Sequence, residues 1–154
     1  LFRSVGFIVF QKDRATLVLP PTNSVQLAQR ALMDIPVGGK TPLSAGLFMA
    51  YDVLRHEKHI HPDVEPLLMV MTDGAGNVSL GTMPPQEESF KFAEMIANEN
   101  IRSVVINMEH AAFDQGLAKQ LADHLESPCY SLSELKAENL YHAVKDEMSK
   151  PSKK

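Results

Sequence analysis

The chain has 154 residues, 44% of them apolar and 22% charged, which suits one globular domain able to bury its own core. A formal net charge of −4 over scattered Lys and Arg has the wrong sign for a nucleic-acid binder, and no apolar run nears the ~20 residues of a membrane helix. Cys129 is the sole cysteine, so no internal disulfide can form, and a reducing, cytoplasmic setting is expected.

No charged-then-apolar leader opens the chain. It begins at Leu1 rather than Met and enters an apolar run at once, which raises the expectation of a segment cut from something longer. Val5 to Phe10 and Ala15 to Leu19 are β-rich runs around the polar turn Gln11 to Arg14. They predict a hairpin that stops at Pro20-Pro21. Ser24 reads as the N-cap of a helix carrying Leu27, Ala28, Ala31 and Leu32, ended by Pro36 and Gly38-Gly39. Thr41-Pro42 opens the next helix, whose apolar face is Leu43, Leu47, Ala50, Tyr51 and Leu54.

A polar loop is predicted from His56 to Pro66. Leu67 to Met71 then forms a continuous apolar run of the kind found in strands buried on both faces. After Thr72-Asp73-Gly74 and a loop to Pro84-Pro85, a helix is predicted through about Ala97. Ile101 to Met108 reads as a second buried strand, Phe113 to Leu125 as an amphipathic helix, Pro128 to Leu132 as a short strand and Glu134 to Met148 as a closing helix. Residues 150–154, locally basic, are expected to be a disordered, solvated tail. Alternating strands and helices in the second half imply a doubly wound α/β domain, a mostly parallel sheet with helices on both faces. In such sheets ligands bind beyond the carboxyl ends of the strands, at a topological switch point. Asp73 directly follows a central strand and is the first residue to suspect.

The loops Gly38 to Pro42 and Thr72 to Gly74 supply a hydroxyl and a carboxylate, hard oxygens of the sort Mg²⁺ accepts while keeping several waters. A helix cap at Thr41 and a turn at Asp73 are the bland alternatives. His56, His59 and His61 stand near Asp63, but H-x-x-H-x-H between prolines matches no metal motif with a mechanical rationale, and a solvated loop is the reading. Cys129 lacks a neighbouring base in sequence and is expected to pack beside the last strand. No Gly-rich loop ending in Lys-Ser/Thr occurs, so no nucleotide site is expected in this chain.

The stretch Leu19 to Val25, the segment Gly38-Gly39-Lys40-Thr41-Pro42-Leu43 to Leu47, and Leu68 to Asn77 together resemble the von Willebrand factor A-type domain of the magnesium-chelatase D subunit. The resemblance runs from that family's second strand to its last helix and covers residues 1–149. It implies a Rossmann-like sheet lacking the first, central strand and the first helix, so that the strands at Val5 and Leu67 face each other across an empty slot. Such edges are expected to close up or to recruit a second copy in a non-native dimer. The family builds a metal-ion-dependent adhesion site from an Asp-x-Ser-x-Ser motif, a second-loop Thr and a third-loop Asp.

Thr41 and Asp73 match the last two of these, and the Asp-x-Ser-x-Ser motif has no counterpart here. Mg²⁺ binding is therefore expected to be weak or absent. Gly39, Gly74 and Asn77 would shape a partner-binding rim. Where the family carries a basic residue after Thr-Asp-Gly, this chain has Ala75. The function implied is non-catalytic: partner docking within an ATP-dependent Mg-porphyrin chelatase. An I-type AAA+ subunit and an H-type porphyrin-binding subunit would be partners, with ATP bound only in other domains or subunits. The alternatives are a module of a cobaltochelatase or another AAA+ accessory system, or an Asp73-dependent phosphatase-like enzyme.

Overall fold

The computed structural model describes residues 4–34, 40–134 and 137–151. Strands β1 (Val5–Gln11) and β2 (Arg14–Thr22) form the expected antiparallel hairpin, closing with Phe10 opposite Ala15 and Gln11 opposite Arg14. β2 does not stop at the prolines but runs through Pro20 and Pro21. Among the described residues it pairs only with β1, so its outer edge needs no N–H donors and tolerates both prolines. Register shifts between Val5 and Ile8 absorb the irregularity.

Helix α1 (Val25–Met33) is capped as predicted, Ser24 Oγ accepting from the Leu27 N–H at 3.3 Å. The predicted stop at Pro36 to Gly39 falls outside the described residues. Helix α2 (Leu43–Ile60) begins right after Pro42 and runs well into the segment expected to be loop. Arg55, Glu57 and Lys58 are good helix formers without an apolar signal, and the helix ends only before Pro62. His56 and His59 are therefore helical and His61 is the C-cap, so the three histidines do not share a loop.

Strands β3 (Leu67–Thr72), β4 (Arg102–Asn107) and β5 (Cys129–Ser131) form a parallel sheet in that order. Helix α3 (Pro85–Asn98) connects the first pair and α4 (Leu117–His124) the second, and α5 (Ala137–Ser149) closes the chain. α4 starts later than predicted. Ala111–Phe113 is a lone 3₁₀ turn, Asp114 Oδ1 then takes the Gly116 N–H at 2.8 Å, and Gly116 adopts φ +75. Phe113, expected inside the helix, is 72% exposed. The basic tail is partly tied: the Arg102 guanidinium donates to the carbonyls of Glu147 and Lys150, anchoring the end of α5 to the start of β4.

One core joins α2, α3, α4 and the sheet. Leu43, Leu47, Val70, Ala93, Ile96, Ile101, Val105 and Leu121 form it, with Phe10 of the hairpin packed against it. Gly46 allows that last contact, because a Cβ there would lie 2.6 Å from Phe10 Cδ1. Through α2 the hairpin is joined to the rest. Among the described residues the two sheets are separate, with β1 and β3 unpaired to each other, as the expected slot requires. The expectation that β3 is buried on both faces is corrected: Met71 is 52% exposed because it borders that slot. No helix among the described residues is long and apolar enough to cross a membrane.

A candidate divalent-cation site between two loops

Asp73 is carried out of the sheet by β3, and Thr41 stands two residues before the start of α2. Both line a crevice of about 360 Å³ at the carboxyl ends of β1 and β3, whose walls include Phe10, Gln11, Lys40, Met71 and Glu109. The interruption of the sheet and the mouth of the site thus coincide, where open α/β sheets bind ligands.

The two loops are clasped by Asn77. Its Oδ1 accepts from the Thr41 N–H at 2.8 Å, and its own N–H donates to the Thr41 carbonyl at 3.1 Å. Asp73 Oδ1 accepts from the Ala75 N–H at 2.9 Å, an Asx turn of the kind Asp favours. Among the described residues Asp73 Oδ2 and Thr41 Oγ1 make no further hydrogen bond.

Gly74, buried with φ +84, donates its N–H to Thr72 Oγ1 at 3.1 Å. A Cβ there would lie 2.1 Å from the Ala118 nitrogen, so only glycine lets the loop lie against α4. Gly74 is buried and Asn77 exposed, and neither is among the residues that line the crevice. Gly39 lies outside the described residues.

The first turn of α3 holds the rest of the Asp73 loop. Gln86 donates Nε2 to the Gly74 carbonyl and accepts from the Gly76 N–H through Oε1, both at 2.9 Å. Glu88, 6% exposed, accepts from the N–H groups of Leu80 at 2.7 Å and Gly81 at 3.1 Å. Burial alone would raise its carboxyl pKa, but those two backbone bonds and the nearby Ser44 hydroxyl outweigh it and hold the group below its ordinary value. Ser44 Oγ itself donates its proton to the Val78 carbonyl at 3.3 Å.

The donor set suits a hard cation such as Mg²⁺: a hydroxyl and a carboxylate in one crevice, with Glu109 on its wall. It is also sparse. Among the described residues no group of three or more His, Cys, Asp or Glu side chains converges to hold a metal. Most of an octahedral shell would fall to water and to another molecule. Cys129 stands apart, half-buried, its thiol pKa pushed up by burial.

Sequence reasoning singled out Thr41, Asp73, Gly74 and Asn77 but did not point to the places of Gln11, Lys40, Gln86, Glu88 and Glu109 around the crevice and its loops. Glu109 carries the one signal that was available: like Asp73, it lies just past the carboxyl end of a parallel strand.

No protein-family model matches the chain. The fold has solved counterparts. The conserved hypothetical protein BatB of Bacteroides thetaiotaomicron superposes with a TM-score of 0.70 at 17% identity, covering 97% of this chain and 80% of that one. The SpRpn10 VWA domain superposes at 0.58 and 14% identity, over 84% of this chain and 64% of that one. In sequence, the chain is 33% identical over 142 residues to an uncharacterized protein of Methanocaldococcus jannaschii, covering 92% of this chain and 81% of the relative. It is 30% identical over 152 residues to the magnesium-chelatase 67 kDa subunit of Heliobacterium mobile. The chain has the fold of a von Willebrand factor A domain and is similar over most of its length to one part of the magnesium-chelatase 67 kDa and 60 kDa subunits.

The chain spans 22% of the length of the Heliobacterium subunit and 25% of the 60 kDa subunit of Cereibacter sphaeroides, to which it is 30% identical over 144 residues. The shared region is thus one part of those larger proteins. Its α/β order and parallel β3-β4-β5 sheet agree with the fold of the solved counterparts.

Proposed function

We propose that this A-type domain is a non-catalytic interaction module of a chelatase-type assembly, docking a partner carboxylate through a divalent cation held by Thr41 and Asp73. One observation carries the reading: two oxygen-bearing side chains line one crevice from loops far apart in sequence, and Asn77 ties those loops together through the Thr41 backbone. Thr41 and Asp73 would hold the ion and Glu109 would face it. A bound Mg²⁺ supplies positive charge to an incoming acidic group; the protein around it orients the two oxygens. With so few protein oxygens the cation is held weakly by the domain alone, and the partner's carboxylate completes its shell.

The partners that fit the resemblance are an AAA+ subunit of the I type and a porphyrin-binding subunit of the H type, in a cytoplasmic setting, with metal insertion and ATP turnover elsewhere in the assembly. A nucleophilic role for Asp73 has less support, since its Oδ1 is engaged by the Ala75 N–H and position 75 offers no second acid.

The test is a binding measurement between the protein and the AAA+ subunit, made with Mg²⁺ and with EDTA. Binding that weakens at least ~10-fold in EDTA and in Asp73→Asn supports the reading, as loss of a charge-assisted contact should. Binding indifferent to both EDTA and Asp73→Asn rules it out.

A further inference from the structure

We infer that Gln86 is a positioning residue for the Asp73 carboxylate; its value for docking rests on the proposed function, but its effect on the loop does not. The carboxamide of Gln86 spans the loop, bonding the Gly74 carbonyl with Nε2 and the Gly76 N–H with Oε1, each at 2.9 Å. Only this orientation of the amide satisfies both partners, a carbonyl needing a donor and an N–H needing an acceptor. Between these two bonds stands Ala75, whose N–H goes to Asp73 Oδ1 at 2.9 Å.

The link from Gln86 to Asp73 runs through one peptide plane. A trans peptide is flat, with its C=O and N–H pointing in opposite directions. The plane joining Gly74 to Ala75 holds both the carbonyl that Gln86 grips and the N–H that Asp73 accepts. Fixing the carbonyl toward α3 turns the N–H the other way, onto the carboxylate. Gly74 makes such a restraint necessary. It has φ +84, and a glycine lets the adjoining peptide flip at low cost. Gln86 blocks the flip, and thereby holds one carboxylate oxygen on the backbone and leaves the other for the crevice.

The inference differs from mere loop stabilisation in predicting which half of the Gln86 amide matters. Gln86→Glu keeps an acceptor for the Gly76 N–H but sets an acceptor against the Gly74 carbonyl. Gln86→Leu removes both bonds. Amide hydrogen exchange on the full chain, read by NMR, tests this directly. In Gln86→Glu, exchange at Ala75 should quicken roughly 5- to 10-fold while Gly76 stays protected; in Gln86→Leu both should quicken by about that factor, the size of one lost hydrogen bond each. Val105 in the sheet should be unaffected in both, which separates loop effects from unfolding, and the near-isosteric Gln86→Glu keeps the test usable if Gln86→Leu folds poorly.

Unchanged Ala75 protection in Gln86→Glu, or equal loss at Ala75 and Gly76, would overturn the inference. A Mg²⁺ titration of the same samples keeps the two readings apart. If the wild-type Asp73 signals ignore Mg²⁺, the cation reading fails, while Gln86 still stands or falls on Ala75.

Discussion

β3 and β4 are six-residue parallel neighbours, paired residue for residue from Leu67 opposite Arg102 to Thr72 opposite Asn107, yet they live in different surroundings. Every residue of β4 is buried, whereas in β3 only Val70 and Thr72 are, and Met71 is more than half exposed. β4 has a strand on each side; β3 has β4 on one side and the crevice on the other. The residues around β4 are held by apolar packing, while the loops around the crevice are held by polar clasps from Asn77, Gln86 and Glu88. An apolar seal belongs where the sheet is complete, and directional hydrogen bonds where side chains must be aimed.

The sharpest test uses one pair in register, Met71 opposite Ile106. Ile106 is 1% exposed and Met71 52%. Ile106→Ala should cost ~2–5 kcal/mol, the range for a buried aliphatic truncated in a packed core. Met71→Ala should cost less than ~1 kcal/mol, since much of that side chain is already in water. Urea unfolding of both variants decides it. Equal losses would mean that β3's free edge is sealed in solution, by a second copy for instance, and a mass measurement on the wild type would then find that copy.

Acid should weaken the crevice side before the apolar side, and Glu88 is the reason. Its folded pKa lies below the ordinary value of 4.5, so its charged form is favoured by folding. The stability it contributes is fully present above that ordinary value and is lost as pH falls through the lower, folded one. Glu88→Gln should therefore cost ~1.5–3 kcal/mol at neutral pH, the range for hydrogen bonds to a charged group. The gap between variant and wild type should shrink steadily below about pH 4.5. A gap independent of pH across that window would show that the carboxylate's charge contributes nothing to holding residues 80 and 81.

The same contrast explains what could be read from the sequence. Apolar periodicity located both hairpin strands, the three parallel strands and the helices, because the core that selects those residues leaves a repeating mark. Where the chain is polar the mark fades. α2 continues through Arg55 to Lys58 without an apolar signal, the side chains of Arg55 and Lys58 reaching Glu99 instead, and Phe113 looks like one more apolar helical residue until the Asp114–Gly116 turn sets it outside. Asp73 stood out because it ends a strand, and Thr41 because of the motif around it. Of the residues that position these loops, Asn77 stood out only as part of the rim, and Gln86 did not stand out. The Gln86 carboxamide meets backbone 10 and 12 residues away and Asn77 meets Thr41 across 36, separations at which no local pattern exists to be read.

Asn77 gives the smallest effect on stability and the finest test of the clasp. Asn77→Ala removes the acceptor for the Thr41 N–H but leaves the backbone bond from residue 77 to the Thr41 carbonyl. Because Asn77 is exposed, water can replace the lost acceptor, and the cost should be ~0.5–1 kcal/mol. Partner binding in Mg²⁺ should fall further than that, since Thr41 and Asp73 would no longer be held in one geometry. Asn77→Asp retains an oxygen that can accept from Thr41 and should recover most of the binding. If Asn77→Ala binds as the wild type does, the two loops are preset without the clasp. If Asn77→Asp fails as badly as alanine, the amide itself touches the partner, and Asn77 belongs to the docking surface rather than to the frame beneath it.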